Sequence, residues 1–223
     1  STDQATVSII MLKKVVKYKI DSINYVTRSL TLRDDSNKTQ TIYLSNYVTI
    51  QDPGKAYPTI NDLKVGQTVT VTYYGKSPVT INILEFSYGQ LQSIDRINNR
   101  LIIETPGQKI VQIDTAKNFE LYRNKEAIAV TALQPGDRIS FARDKEGHTI
   151  AEVVIRQSKT MNRLESNNQI SFLYATGEVE TYTLSPNVIV RSGNSLIQLS
   201  ALSKNDRLYV YIVNNEIVEI EKY

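Results

Sequence analysis

The chain has no cysteine, no tryptophan and a single histidine in 223 residues. Without thiols there is no disulfide framework, no thiolate nucleophile and no thiolate metal ligand. His148 lacks the companions that histidine-based triads and zinc sites require, and within Lys145-Glu146-Gly147-His148 it reads as a solvated hairpin tip. Glycine and proline are sparse, at 9 and 6, so flexible linkers are not expected. No apolar run reaches the ~18 residues of a membrane-spanning helix, and no signal-peptide pattern opens the chain. The start Ser1-Thr2-Asp3-Gln4, without methionine, reads as that of a mature or excised fragment.

Charge of one sign is also scarce. The net charge of +3 is spread as +1 over 1–16, +2 over 17–85, +1 over 86–157 and −1 over 158–223. No segment has the basic balance of a dedicated nucleic-acid binder. With 41% hydrophobic and 22% charged residues, the composition is that of a globular chain.

What is present is a phrase written three times. Leu63-Lys64-Val65-Gly66-Gln67-Thr68-Val69 returns as Leu133-Gln134-Pro135-Gly136-Asp137-Arg138-Ile139 and as Leu202-Ser203-Lys204-Asn205-Asp206-Arg207-Leu208. The leading leucines stand 70 and then 69 residues apart (63 to 133, 133 to 202). Each copy reads as a turn feeding a strand. Gly66 and Gly136 supply a left-handed backbone without a Cβ clash, and Asn205 is the residue that best tolerates that conformation otherwise. The repeat predicts β-modules over 17–86, 87–157 and 158–223, with 1–16 as an N-terminal strand that belongs either to the first barrel or to the end of an upstream copy.

Around each turn runs a similar order of short alternating strands. In the first module these are Tyr18-Lys19-Ile20, Leu30-Thr31-Leu32, Thr41-Ile42-Tyr43-Leu44, Val48-Thr49-Ile50, Val69-Thr70-Val71 and Val79-Thr80-Ile81. Single helical turns are expected at Asn61-Asp62-Leu63 and Ser200-Ala201-Leu202. Six short strands per module and no helical periodicity predict an all-β fold: three tandem small β-barrel-like modules of about 70 residues in an elongated array. Modules of that size bury only ~60% of their unfolded surface, so each has a thin core and leans on its neighbours.

Candidate binding residues are few. Lys13, Lys14, Lys17 and Lys19 form the densest basic run, with Lys17 and Lys19 on one strand face suited to phosphate or an acidic wall polymer. The competing reading is an edge strand guarded against aggregation by lysines. Tyr209 and Tyr211 share a strand face and offer rings for bases or sugars, whereas adjacent Tyr73 and Tyr74 must point oppositely. Packing within the sheet is the competing use. Asp34, Asp35 and Asn37 present oxygen ligands to a calcium-like cation, although a polar hairpin tip needs the same residues. No catalytic constellation and no cofactor motif is present; Gly75-Lys76-Ser77 lacks the upstream glycine and the helix of a phosphate-binding loop.

Ser93-Ile94-Asp95, Leu30-Thr31-Leu32, Tyr43-Leu44 and Leu133 with Gly136-Asp137 carry a family likeness. The chain resembles the tandem β-modules of Firmicutes extracellular proteins, often found with S-layer homology domains. Gln67 departs from the turn aspartate, Asn205 from the turn glycine, and no S-layer homology domain is present. The resemblance implies a secreted or cell-surface location in a Gram-positive bacterium, with neighbouring domains, subunits or cell-wall polymer as partners. The expected role is that of a non-enzymatic spacer or scaffold. The alternative is a multivalent binding array for glycan, nucleic acid or protein.

Overall fold

Three separate hydrogen-bonded sheets, one to each repeat, make up the computed structural model, which describes residues 12–145 and 147–223. Among the described residues there is no α-helix; the only helical elements are three single 3-10 turns, Ile60–Asp62, Val130–Ala132 and Leu199–Ala201. The fold is all-β and built from repeats. The expected strand over Val7–Leu12 lies almost wholly outside the described residues.

The first sheet holds β1 (Lys13–Asn24), β2 (Ser29–Arg33), β3 (Thr39–Tyr43), β4 (Thr49–Gln51), β5 (Thr68–Tyr74) and β6 (Ser77–Ile83), in the order β3-β2-β1-β5-β6-β4. The second has seven strands where six are expected, β7 (Ser87–Asp95), β8 (Arg100–Thr105), β9 (Lys109–Asp114), β10 (Phe119–Arg123), β11 (Glu126–Ala127), β12 (Arg138–Arg143) and β13 (Thr149–Val153). The extra strand is the two-residue β11, a hairpin return on β10. The third comprises β14 (Gln157–Glu165), β15 (Gln169–Leu173), β16 (Val179–Ser192), β17 (Ser195–Leu196), β18 (Arg207–Val213) and β19 (Glu216–Lys222). Its fourteen-residue β16 does the work of β3 and β4 together: it pairs antiparallel with β15 and parallel with β19.

The repeat is physical as well as textual. Gly66, Gly136 and Asn205 have φ of +86°, +99° and +69°. Each donates its N–H to the same place on the module's first strand, the carbonyls of Ile20, Leu91 and Met161, at 2.7, 2.7 and 2.8 Å. The next residue closes the turn. Asp137 and Asp206 accept the backbone N–H of Gln134 and Ser203, and Gln67 accepts that of Lys64 at 2.9 Å through Oε1. An amide oxygen thus replaces a carboxylate with no loss of the bond. A bulge follows in every first strand, between Ile20 and Ser22, Leu91 and Ser93, and Met161 and Arg163. The bulge bends the strand so that it can pair with one neighbour before it and another after it.

Strand alternation then sends one side chain in two to each module's interior. Leu30, Leu32, Val69, Val71 and Ile81 are buried in the first, Leu101, Ile103, Ile139, Phe141 and Ala151 at equivalent positions in the second, and Ile170, Phe172, Leu208, Val210 and Ile220 in the third. Each large aliphatic side chain so covered contributes about 1.5–3 kcal/mol.

The expected helical turns occur one residue earlier than read, so that Leu63 and Leu202 are the residues closing them. The second repeat has the same turn at Val130–Ala132. Contacts divide the chain into two compact units: the first sheet with residues 144–145, and residues 86–143 with 147–223. The second and third sheets therefore belong to one body.

Candidate functional site

The second and third sheets meet through side chains on their outward faces. On β7 and β12 the interior positions are Gly89, Leu91, Ile139 and Phe141, so Tyr88 and Arg138 project outward from neighbouring strands. On β18 and β19, Tyr211 stands opposite Glu219. The Arg138 Nε donates to Glu219 Oε2 at 2.9 Å and its Nη2 to Glu219 Oε1 at 2.7 Å. The same Nη2 reaches Glu221 Oε1 at 2.9 Å, while Nη1 donates to the Gly136 carbonyl at 2.9 Å. Tyr88 donates its hydroxyl to Glu219 Oε2. The Tyr88 and Tyr211 rings lie 6.5 Å apart, and the Arg138 guanidinium sits 5.2 Å over Tyr211.

This cluster is largely covered, with the Glu219 side chain only 3% exposed and that of Arg138 12%. Burial pushes its carboxyl up, but the hydrogen bonds from Arg138 and Tyr88 outweigh that and hold it below the usual range. Burial, and then the adjoining Glu219 charge, push the Tyr88 phenol up. A phenol held protonated and a guanidinium with its donors committed do not make a base or an electrophile. The arrangement is a lock: it fixes the orientation of two faces through a bidentate ion pair of defined geometry.

Beside the lock is a cleft of about 490 Å³, walled by Gly89, Gln90 and the β8–β9 turn on one side and by Ile189, Arg191 and Leu196 on the other. Gly89 is required where it stands, because a Cβ there would lie 2.5 Å from the Glu104 carbonyl oxygen. By strand register its counterparts are Tyr18 in the first repeat and Lys159 in the third. Gln40 donates to both the Tyr18 and Tyr73 hydroxyls at 2.7 Å. Lys159 Nζ donates to Glu180 Oε2 at 2.6 Å among the rings of Phe172, Tyr174 and Tyr182. Burial pulls the Lys159 ammonium down, and the bonds to Glu180, Tyr174 and Tyr182 more than reverse this.

The sequence-derived candidates fall elsewhere. Lys13, Lys14, Lys17 and Lys19 all lie on β1; β5 pairs with it from Lys13 to Lys19 and β2 only from Lys19 onward, so among the described residues Lys13, Lys14 and Lys17 stand on the half of the strand paired on one side, as an edge guarded by lysines would have them. Lys17 pairs with Asp35 at 3.0 Å. Asp34 Oδ1 accepts from the Ser36 N–H and hydroxyl and the Lys38 N–H, and Asn37 is left-handed at φ +64°. That is the bonding of a hairpin tip, with the Asp34 carboxyl held down first by Ser36. Among the described residues no cluster of metal-ligating side chains occurs. Tyr209 stacks on Tyr223 at 4.3 Å and under Arg156 at 4.2 Å, and Tyr211 lies in the lock, so both rings have partners within the chain. Tyr73 is buried and Tyr74 is 43% exposed, on opposite faces as expected. His148 is less solvated than its hairpin setting suggests, with a side chain 21% exposed and Nε2 3.2 Å from Glu120 Oε1.

Sequence reading missed Tyr88, Arg138, Glu219 and Lys159. A signal existed for one: Glu219 interrupts the apolar run Ile217-Val218-Glu219-Ile220.

No protein-family model and no curated protein matches the chain. Among solved structures it aligns with one described as a streptogramin B lyase structure, at 12% identity, over 95% of this chain and 72% of that one, with a TM-score of 0.13. A likeness of that size carries no argument about fold or activity.

Proposed function

We propose that the chain is a non-enzymatic structural segment of a secreted or cell-surface protein, in which tandem β-modules act as a spacer between other parts of an assembly. The observation that carries this reading is the lock itself. Arg138 and Tyr88 of one repeat and Glu219 of the next form a buried bidentate pair, so the second and third sheets are joined by a stiff contact and not by a linker. The connections are short as well: β13 ends at Val153 and β14 begins at Gln157. The likeness of the repeated turn to Firmicutes surface modules supports the location.

Each module is further proposed to be a small barrel, closed or nearly closed. In its support, ladders in the third sheet run around β15-β14-β18-β19-β16 and β16 pairs back to β15, while the strand orders of the first two sheets end open at β3 and β4 and at β9 and β11. The competing architecture is a β-solenoid, whose successive coils pair with one another. Among the described residues the ladders run within each repeat and none joins one sheet to another, which supports barrels.

Small-angle scattering tests the spacer. Three modules, each with a radius of gyration of ~11 Å, set in line give a radius of gyration of roughly 25 Å, while one compact globule of this length gives roughly 17 Å. A value near the smaller figure removes the spacer reading.

A further inference from the structure

We propose that the third repeat carries a docking surface for a further β-module of the same kind, with Arg207 as the anchor for a glutamate on that module's outward face. Arg207 stands where Arg138 stands in the second repeat, directly after the turn aspartates Asp206 and Asp137. The turn does not require an arginine there, because the first repeat has Thr68. Arg138 is committed to the lock, whereas Arg207 is exposed and makes no side-chain hydrogen bond or ion pair among the described residues.

The surface around Arg207 repeats other parts of the lock. Tyr88, whose hydroxyl donates to Glu219, corresponds by register to Ser158, and Ser158 Oγ lies 3.0 Å from the Tyr223 hydroxyl, so hydroxyl groups stand on this face too. Opposite Ser158, Tyr209 takes the place of Ser140, which is buried in the second repeat. Tyr209 lies between the Arg156 guanidinium and the ring of Tyr223, itself 57% exposed. Tyrosine and arginine are the side chains on which protein interfaces most depend. The established contact continues along the same outward face, where Tyr211, Glu219 and Glu221 hold Arg138 and Tyr88. Glu221, opposite Tyr209, is thus already engaged, and Asp206 is paired with Lys222, so the carboxylate for Arg207 comes from outside the repeat.

The occupant is another module and not a second copy of this chain. By register the place of Glu219 is held by Thr80 in the first repeat and Ile150 in the second, and Glu219 itself is covered by the lock. The inference rests on the contact between the second and third sheets and stands whether or not the array is a spacer.

The test adds residues 155–223 a second time after Tyr223, whose N–H bonds the Arg207 carbonyl as that of Val154 bonds the Arg138 carbonyl, so that a fourth repeat follows through the native connection. Arg Nε–H NMR and urea unfolding are compared in the parent and extended chains. The Arg207 Nε–H is expected to exchange with solvent at least tenfold more slowly in the extended chain, and Glu219→Gln in the added copy should restore fast exchange. Arg207→Met should leave the urea midpoint of the parent chain unchanged and lower that of the extended chain. Sedimentation should show the parent chain to be a monomer. Equal exchange in the two chains, or an equal effect of Arg207→Met on both, overturns the proposal. So does self-association of the parent chain that Arg207→Met abolishes, since the occupant would then be a second copy.

Discussion

Arg138 grips Glu219 with two donors, at 2.9 and 2.7 Å, although the residues are 81 positions apart and belong to different repeats. The carboxylate is almost wholly covered, so its charge is balanced by protein alone.

Removing one side of this pair should therefore cost more than removing both. Arg138→Met leaves Glu219 buried with too few donors and is expected to destabilise the chain by about 3 kcal/mol. Combining it with Glu219→Leu should recover much of that loss. Urea unfolding of the two single variants and the double variant measures the difference, and equal losses in all three would mean the pair contributes nothing specific.

The left-handed turns make a second prediction. Gly136→Ala places a Cβ at φ +99° and should cost about 1–2 kcal/mol, whereas Asn205→Gly should stay within about 0.5 kcal/mol. Thermal melts of both variants decide it. A neutral Gly136→Ala would show that the turn relaxes to another conformation.

Gly89 tests close packing at the start of β7. A Cβ added there meets the Glu104 carbonyl oxygen and Ile103 Cγ2, both at 2.5 Å. Gly89→Ala is expected to cost about 1–3 kcal/mol by forcing β7 and β8 apart. Hydrogen exchange should quicken at the amides of this strand pair before it does elsewhere.

The Lys159–Glu180 pair makes stability depend on acid. Burial pushes the Glu180 carboxyl up, and the bonds from Lys159, Tyr174 and Tyr182 prevail, setting it at about 2, against an ordinary value of 4.5. Its folded-state value is depressed, so its stabilisation is complete above about 4.5 and is lost as pH falls toward about 2. Glu180 is 37% exposed, and solvent screening reduces the contribution to about 1 kcal/mol. Urea midpoints between pH 2 and 7 should fall less steeply in Glu180→Gln than in the parent chain.

Much of the fold was legible along the chain, because its cause is local. The left-handed turn needs glycine or asparagine, the interior needs every second residue apolar, and both leave marks that recur every 70 residues or so. A side-chain cap marks only the first of the three 3-10 turns, where Thr59 and Asp62 form a reciprocal pair; Ala129 and Gln198 make no such bond, and the turn at Val130–Ala132 was not read from the sequence. The candidate site was less legible. Lysines and tyrosines that stood out by density found partners inside the chain, and the residues that join the repeats stood out by nothing but Glu219 in an apolar run.

By itself the amino-acid order determined the β character, the three copies and the handedness of each turn, since these follow from steric and hydrophobic preferences a few residues wide. Tertiary structure alone decided which outward faces meet. Tyr88, Arg138 and Glu219 look like ordinary solvent-facing strand residues until two sheets exclude water from between them, and only then does the Coulomb and hydrogen-bond energy of the trio become large enough to hold a geometry.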